Sequence, residues 1–306
     1  MIITASRRTD IPAFYAQWFI NRIREGYVLT ANPYNPNQIK HISLTPKSID
    51  VIVFWTKNAA SMLPMLNKLN GFNYYFQYTV TPYQKDIEEQ LPKIDIRVKT
   101  FKVLADKIGL EKVIWRYDPI LLTDKYTIDF HIRAFTYLCE KLKDSTHKVI
   151  ISFLDEYAKI RKTLKTEKIY PLSNKEIDII AYKFSEIANK HDLSIETCGE
   201  AMDLSMYGIS HAKCIDSEYI NHVFDKKLIY EKDPYQRETC LCMDSIDIGA
   251  YNSCKHFCKY CYANYHNTSV INNTQKHDPN SPLLIGHLTG EETITKVKKV
   301  PNLFSQ

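Results

Sequence analysis

The chain reads as an α/β protein, a complete or partial (β/α) barrel of the TIM type, on three observations. Short apolar, β-branched or aromatic runs recur along its 306 residues. Amphipathic stretches of helical period separate them, and strands alternating with helices imply a parallel sheet. Each run also ends in polar side chains, as in barrels, whose sites form at the C-terminal ends of the strands. A doubly wound sheet is the alternative architecture.

Taken in order, strands are predicted at 1–5, 51–55, 74–80, 113–116, 149–153, 193–197 and 245–248. Helices are predicted at 13–25, 59–69, 87–105, 128–142 and 175–190. The segment 25–48, with Asn32-Pro33, Asn35-Pro36 and Thr45-Pro46, reads as ordered surface structure with room for a short hairpin. Residues 264–281 read as a polar loop after one helical turn, and the Lys-rich tail 293–306 as solvated at its end. The organisation expected is a single barrel-like domain over 1–306, carrying a cysteine-rich segment over 240–290.

Composition narrows the class. Hydrophobic residues at 44% and charged residues at 25% are those of a globular protein with a sizeable core. No stretch has the apolar length of a membrane span, and the first residues lack a signal-peptide core, so a cytoplasmic protein without a membrane partner is expected. A net charge of +5 tolerates an anionic substrate without demanding nucleic acid. With only 8 glycines, no G-x-G-x-x-G or phosphate-cradling loop is present.

The strand ends supply the candidate site: Ser6-Arg7-Arg8-Thr9-Asp10, then Lys57-Asn58, Arg116-Tyr117-Asp118, Ser152 with Asp155, and Glu196, Cys198 and Glu200. An Asp or Asn there is often simply the N-cap of the next helix. Lys57 and the Arg116/Asp118 pair stand out, because each follows an apolar strand closely after a Trp, and they are read as catalytic candidates.

Three further cysteines crowd one loop, Asp247-Ile-Gly249-Ala-Tyr-Asn-Ser-Cys254-Lys-His-Phe-Cys258-Lys-Tyr260-Cys261-Tyr262-Ala263. A C-x3-C-x2-C run gives three thiolates to a [4Fe–4S] cluster that normally takes four, which leaves one iron open. A structural zinc knuckle is disfavoured, since zinc sites usually pair two separated Cys/His couples.

This loop resembles the signature of the radical S-adenosylmethionine (AdoMet) enzymes, and the run from Cys254 to Ala263 is especially similar to the spore photoproduct lyase branch. The whole chain also resembles an uncharacterised bacterial and archaeal family with a Ser-Arg-Arg-Thr-Asp start and a terminal cysteine cluster. The resemblance implies a [4Fe–4S] cluster on Cys254, Cys258 and Cys261, with AdoMet on the open iron and reductive cleavage to a 5′-deoxyadenosyl radical. It further implies a reductant such as ferredoxin or flavodoxin and a substrate, small molecule or nucleic acid, in the barrel mouth. In that family the loop follows the first strand, whereas here it comes last, so a circularly permuted barrel is expected, with the N-terminal strand beside 245–248. The family's Gly-Gly-Glu element is missing, and Asp10 and Arg8 become the candidates for the AdoMet ammonium and carboxylate, with Tyr260 as a further cofactor contact. The competing class is a non-enzymatic or electron-transfer iron–sulfur protein, with nucleic-acid binding as one variant.

Of the remaining cysteines, Cys139 sits on the apolar face of a helix and reads as a small core residue. Cys198, Cys214, Cys240 and Cys242 are the count for a complete metal site, iron–sulfur or zinc, with His211 as a substitute ligand. A second iron–sulfur cluster on these four is the expectation, against ordinary cytosolic thiols.

Overall fold

The computed structural model describes residues 1–297. Strand β1 (Ile2–Ala5) is buried on both faces and runs into a loop that ends at Asp10, whose carboxylate accepts from Ala13 N and caps α1 (Ile11–Phe14). Helix α2 (Ala16–Glu25) stops at Gly26, which takes the left-handed conformation at φ 77°. Strands β2 (Tyr27–Asn32) and β3 (Asn35–Ser43) then pair antiparallel, so the turn-rich segment forms a full hairpin.

The sheet continues with β4 (Val51–Thr56), a 3-10 turn at Leu63–Leu69, and β5 (Tyr74–Thr79). Next come α3 (Ile94–Ile108), β6 (Val113–Ile120), α4 (Ile128–Leu142) and β7 (Lys148–Phe153). After α5 (Arg161–Thr166) and α6 (Asn174–Lys190), the chain forms β8 (Ser194–Thr197), the two-residue β9 (Ser210–His211) and α7 (Ser217–Phe224). Last are the two-residue β10 (Ile246–Asp247), α8 (Asn267–Gln275) and β11 (Thr293–Lys296). The tail read as solvated therefore begins as a strand, parallel to β3, and its end lies outside the described residues.

Among the described residues, eight strands make one parallel sheet in the order β10-β1-β4-β5-β6-β7-β8-β9, with β2, β3 and β11 in a second sheet. The first strand does pair with the last of the main sheet, Ile3 opposite Ile246 and Thr4 opposite Asp247. Alternation divides the strands between two faces. Ile3, Ile52, Phe54, Phe76 and Trp115 belong to the large core cluster that includes the helices, whereas Ile2, Val51, Val53, Tyr75, Ile114 and Ile150 belong to a second cluster on the opposite face. Burial on both faces explains the nearly unbroken apolar strands.

The expected barrel corresponds to an open sheet, because β9 and β10 do not pair among the described residues. Both are two residues long, and the chain between them turns inward. Tyr75 OH and Gln77 Nε2 donate to the Cys214 carbonyl at 2.8 and 2.9 Å, and Met243 N donates to Ile215 O at 3.0 Å. These bonds satisfy the backbone of a segment that packs on the face of the sheet opposite the large core. The helix expected over 87–105 starts only at Ile94; residues 80–93 instead form an irregular bed for the cysteine loop.

Candidate functional site

The loop Cys254–Cys261 lies over the C-terminal ends of β1, β4 and β5. A cavity of about 140 Å³ there is lined by Arg8, Asp10, Lys57 and Thr79 from the strand ends and by Cys254, Cys258, Tyr260 and Cys261 from the loop. Arg8 and Asp10 lie more than 240 residues from the cysteine loop in sequence, and the β1–β10 pairing brings them to it.

Two buried carboxylates hold the loop in place, and both have a different partner set from any that spacing could reveal. Asp10 accepts four bonds: Oδ1 from Ala13 N at 2.9 Å and Thr56 Oγ1 at 2.8 Å, Oδ2 from Lys57 N at 2.7 Å and His256 Nε2 at 2.8 Å. With two bonds on each oxygen its acceptor capacity is filled by the protein itself. Asp10 thus clamps the helix start, the end of β4 and the cysteine loop at one point. Glu88, which sequence reasoning passed over, receives Lys57 Nζ at 2.9 Å, Thr81 Oγ1 at 2.7 Å, Arg97 Nη1 at 3.4 Å and Tyr260 OH. Burial would raise the Glu88 carboxyl, but Lys57 and Arg97 hold it below the usual range. Lys57 is correspondingly raised: burial lowers it, and Glu88 with Cys258 more than offsets that.

The loop is also stitched by backbone. Glu88 and Cys258 form an antiparallel bridge, Lys259 N donates to Ile87 O at 3.0 Å, and Gln90 N donates to His256 O at 3.2 Å. Tyr15 OH binds Ser253 O at 2.6 Å, and Tyr262 OH binds Arg7 O at 2.8 Å. Phe257 adopts φ 53°, a left-handed conformation that a bulky residue rarely takes and that doubles the loop back between two cysteines. Asp247 ties the two chain regions at the β1–β10 junction, accepting Ser6 Oγ at 2.6 Å and Arg7 N at 2.8 Å. Here the backbone must approach closely: a Cβ on Gly249 would lie 2.6 Å from Ser6 Cβ and nearer still to its Oγ.

Two of the three loop thiols meet backbone donors. The N–H groups of His256 and Asp10 face Cys254, and those of Ala263 and Asn264 face Cys261; each favours the thiolate. Burial acts more strongly and raises all three thiols above the ordinary range, Cys258 despite the nearby Lys57. His256 Nδ1 and Thr9 Oγ1, on residues lining the same cavity, are buried with no hydrogen-bond partner. Arg8 also lines the cavity, with its guanidinium 5.2 Å from the Tyr251 ring and no carboxylate partner among the described residues. Arg7 and Arg8 also border a groove of about 890 Å³ along β10, a feature no motif announced.

Arg116 and Asp118 lie on β6 and bind each other, Nη2 to Oδ2 at 2.6 Å, with Ser152 Oγ donating to the other Asp118 oxygen. Burial would raise Asp118, but Arg116 and Ser152 keep it low. Glu200, near by, is raised to about 7, by burial first and then by Asp155 and Asp118. Arg116 Nη1 also reaches Cys214 Sγ at 2.9 Å.

The second cysteine set does converge in space. Cys198 Sγ and Cys214 Sγ are 3.0 Å apart, and Cys242 and Cys240 continue the group, Cys214 and Cys240 each in contact with Cys242. His211 is exposed and turns to Thr197, away from a ligand role. Cys139 is fully buried in the helix-side core, as read from sequence. Among the described residues no group of three or more His, Cys, Asp or Glu stands ready to hold a metal, so ligation at either cysteine set requires side-chain adjustment. No helix among them is long and apolar enough to cross a membrane.

Fold and site together define an α/β protein with a three-cysteine loop fastened over the C-terminal ends of a parallel sheet. The chain belongs to the family described as a domain of unknown function, DUF1848, whose model matches residues 2–263, a span that includes every cysteine. No curated protein matches it. Among solved structures, one from Bacteroides thetaiotaomicron VPI-5482, provisionally assigned as an alpha-L-fucosidase, is 11% identical over 53% of this chain and 68% of its own, with a TM-score of 0.26.

Proposed function

We propose that the protein is a radical AdoMet-type iron–sulfur enzyme, with a [4Fe–4S] cluster on Cys254, Cys258 and Cys261. The observation that carries this reading is the convergence of those three thiols on one cavity at the strand ends, each beside another and with four backbone N–H groups directed at two of them. Such N–H donors stabilise thiolate sulfur and tune cluster potential. Three protein ligands leave one iron open, and the bound cluster would supply the electron for reductive cleavage of AdoMet.

The chain's own residues would do the rest. Asp10 and Glu88 position the loop through His256 and Tyr260, and Lys57 offsets the charge of Cys258. Arg8, without a carboxylate partner among the described residues, is a cation available to the AdoMet carboxylate. Because Asp10 is saturated, the ammonium group falls to other acceptors in the cavity. Arg116, Asp118 and Ser152 form the polar patch presented to a substrate, with Glu200 as a group able to exchange a proton near neutral pH. A ferredoxin or flavodoxin would serve as reductant.

Protein prepared without oxygen is expected to be brown, with iron and acid-labile sulfide, and to release 5′-deoxyadenosine from AdoMet after reduction. Cys258→Ala is expected to lose that iron while remaining folded. Iron bound without deoxyadenosine formation would favour an electron-transfer protein, and colourless protein would overturn the cluster itself.

A further inference from the structure

The open edge of the sheet carries four thiols whose arrangement is independent of the loop just described. Cys198 follows β8, Cys214 follows β9, and Cys240 and Cys242 belong to the strap that precedes β10. The two edge strands that fail to pair thus each contribute to one cluster of side chains. Cys214, Cys240 and Cys242 are 4%, 9% and 3% exposed, within an apolar shell of Val53, Tyr75, Ile114, Ile150, Ile215 and Met243.

We infer that Cys198, Cys214, Cys240 and Cys242 form a tetrathiolate site for a single zinc ion, which fastens the strap to the open edge of the sheet. The Cys198–Cys214 spacing is that of two thiolates sharing one ion. A tetrahedral ion with Zn–S bonds near 2.3 Å sets its sulfurs about 3.8 Å apart. The Cys198–Cys214 separation of 3.0 Å opens to that value with a small movement. A cubic cluster, whose iron atoms and sulfides stand between the thiolates, needs them much more widely spread.

Charge agrees with this assignment. Four thiolates around one divalent cation leave two negative charges in an apolar shell, which require partners. Two guanidinium groups are placed to provide them: Arg116 Nη1 is 2.9 Å from Cys214 Sγ, and Arg7 lies within electrostatic reach of Cys240 and Cys242. The strap is already docked in register, Met243 N on Ile215 O and Asp233 N on Cys242 O, both at 3.0 Å, so ligation orders side chains on a backbone that is in place.

The test uses the full chain with Cys254, Cys258 and Cys261 all replaced by Ala, which removes the proposed cluster loop and makes the outcome independent of that reading. Metal analysis of this variant, purified without added metal, is expected to give about one zinc per chain and no acid-labile sulfide. Replacing the zinc with cobalt(II) is expected to produce the strong thiolate-to-metal bands of a tetrahedral four-sulfur site. A further Cys240→Ser change is expected to abolish zinc retention, and chelation of the parent to lower its melting temperature. Iron with sulfide in the triple variant would overturn the zinc assignment. So would absence of metal, with the four thiols freely titrating or with Cys198 and Cys214 joined as a disulfide.

Discussion

Replacing Glu88 by Gln removes one negative charge from a site where it faces two cations. The Glu88 side chain is fully buried, Arg97 is 1% exposed and Lys57 16%. An amide can keep the oxygen that receives Lys57, Thr81 and Tyr260, but it then turns its NH2 toward Arg97 Nη1. Arg97 retains carbonyl partners at Pro92 and Thr81, yet loses its counter-charge. Removing one partner of a buried pair in this way costs about 3–5 kcal/mol. At roughly 2.1 cal/mol/K of unfolding entropy per residue, 306 residues convert that loss into a fall in melting temperature of about 5–8 °C. Calorimetry on the metal-free protein measures it directly, and iron retention after anaerobic reconstitution should fall too, because Tyr260 anchors the cysteine loop through Glu88. Lys57→Met should cost less, since Arg97 still neutralises the carboxylate. A melting temperature within 1 °C of the parent for Glu88→Gln would show that the buried Glu88 charge is not needed by its two cations.

Asp10→Asn sets an NH2 against two of the four donors and should cost about 1–3 kcal/mol while lowering iron loading; unchanged denaturation and iron content would contradict the clamp. Gly249→Ala forces a methyl onto Ser6 and should destabilise by about 1–3 kcal/mol, read from urea unfolding. His131 gives a pH signature. Its Nε2–H donates to Leu121 O, so Nδ1 accepts from Tyr117 OH, and burial lowers its pKa from 6.5 to about 4. The unfolded chain then binds the extra proton, and stability should fall as pH drops from 6.5 towards 4, a dependence that His131→Asn removes. Glu200 acts in the opposite sense. Raised from 4.5 to about 7, it binds a proton more readily when folded, so its contribution should decline as pH rises through that window, and Glu200→Gln should abolish the decline.

Local pattern carried much of the architecture. The apolar runs at 51–55, 74–80, 113–116 and 149–153 became adjacent parallel strands because burial on both faces leaves few other uses for such sequences. The helix at 128–142 was legible from its 3.6-residue period, and in the structure Thr127 caps it. The loop Cys254–Cys261 was visible as three thiols too close together to be accidental, and Cys139 as a core residue from its place on an apolar helix face. Sequence could not give the partners of charged groups. Glu88 sits in Gln84-Lys-Asp-Ile-Glu88, a segment with helical composition that tertiary contact with the cysteine loop holds irregular. Asp10 looked free for a ligand because its four donors come from α1, β4 and residue 256, which meet only after folding. Ring closure was likewise a tertiary matter: strand pattern specifies which face is buried, but not whether two-residue edge strands find each other. Four cysteines spread over 45 positions were a count in the sequence; side-chain convergence at the sheet's open edge made them a site.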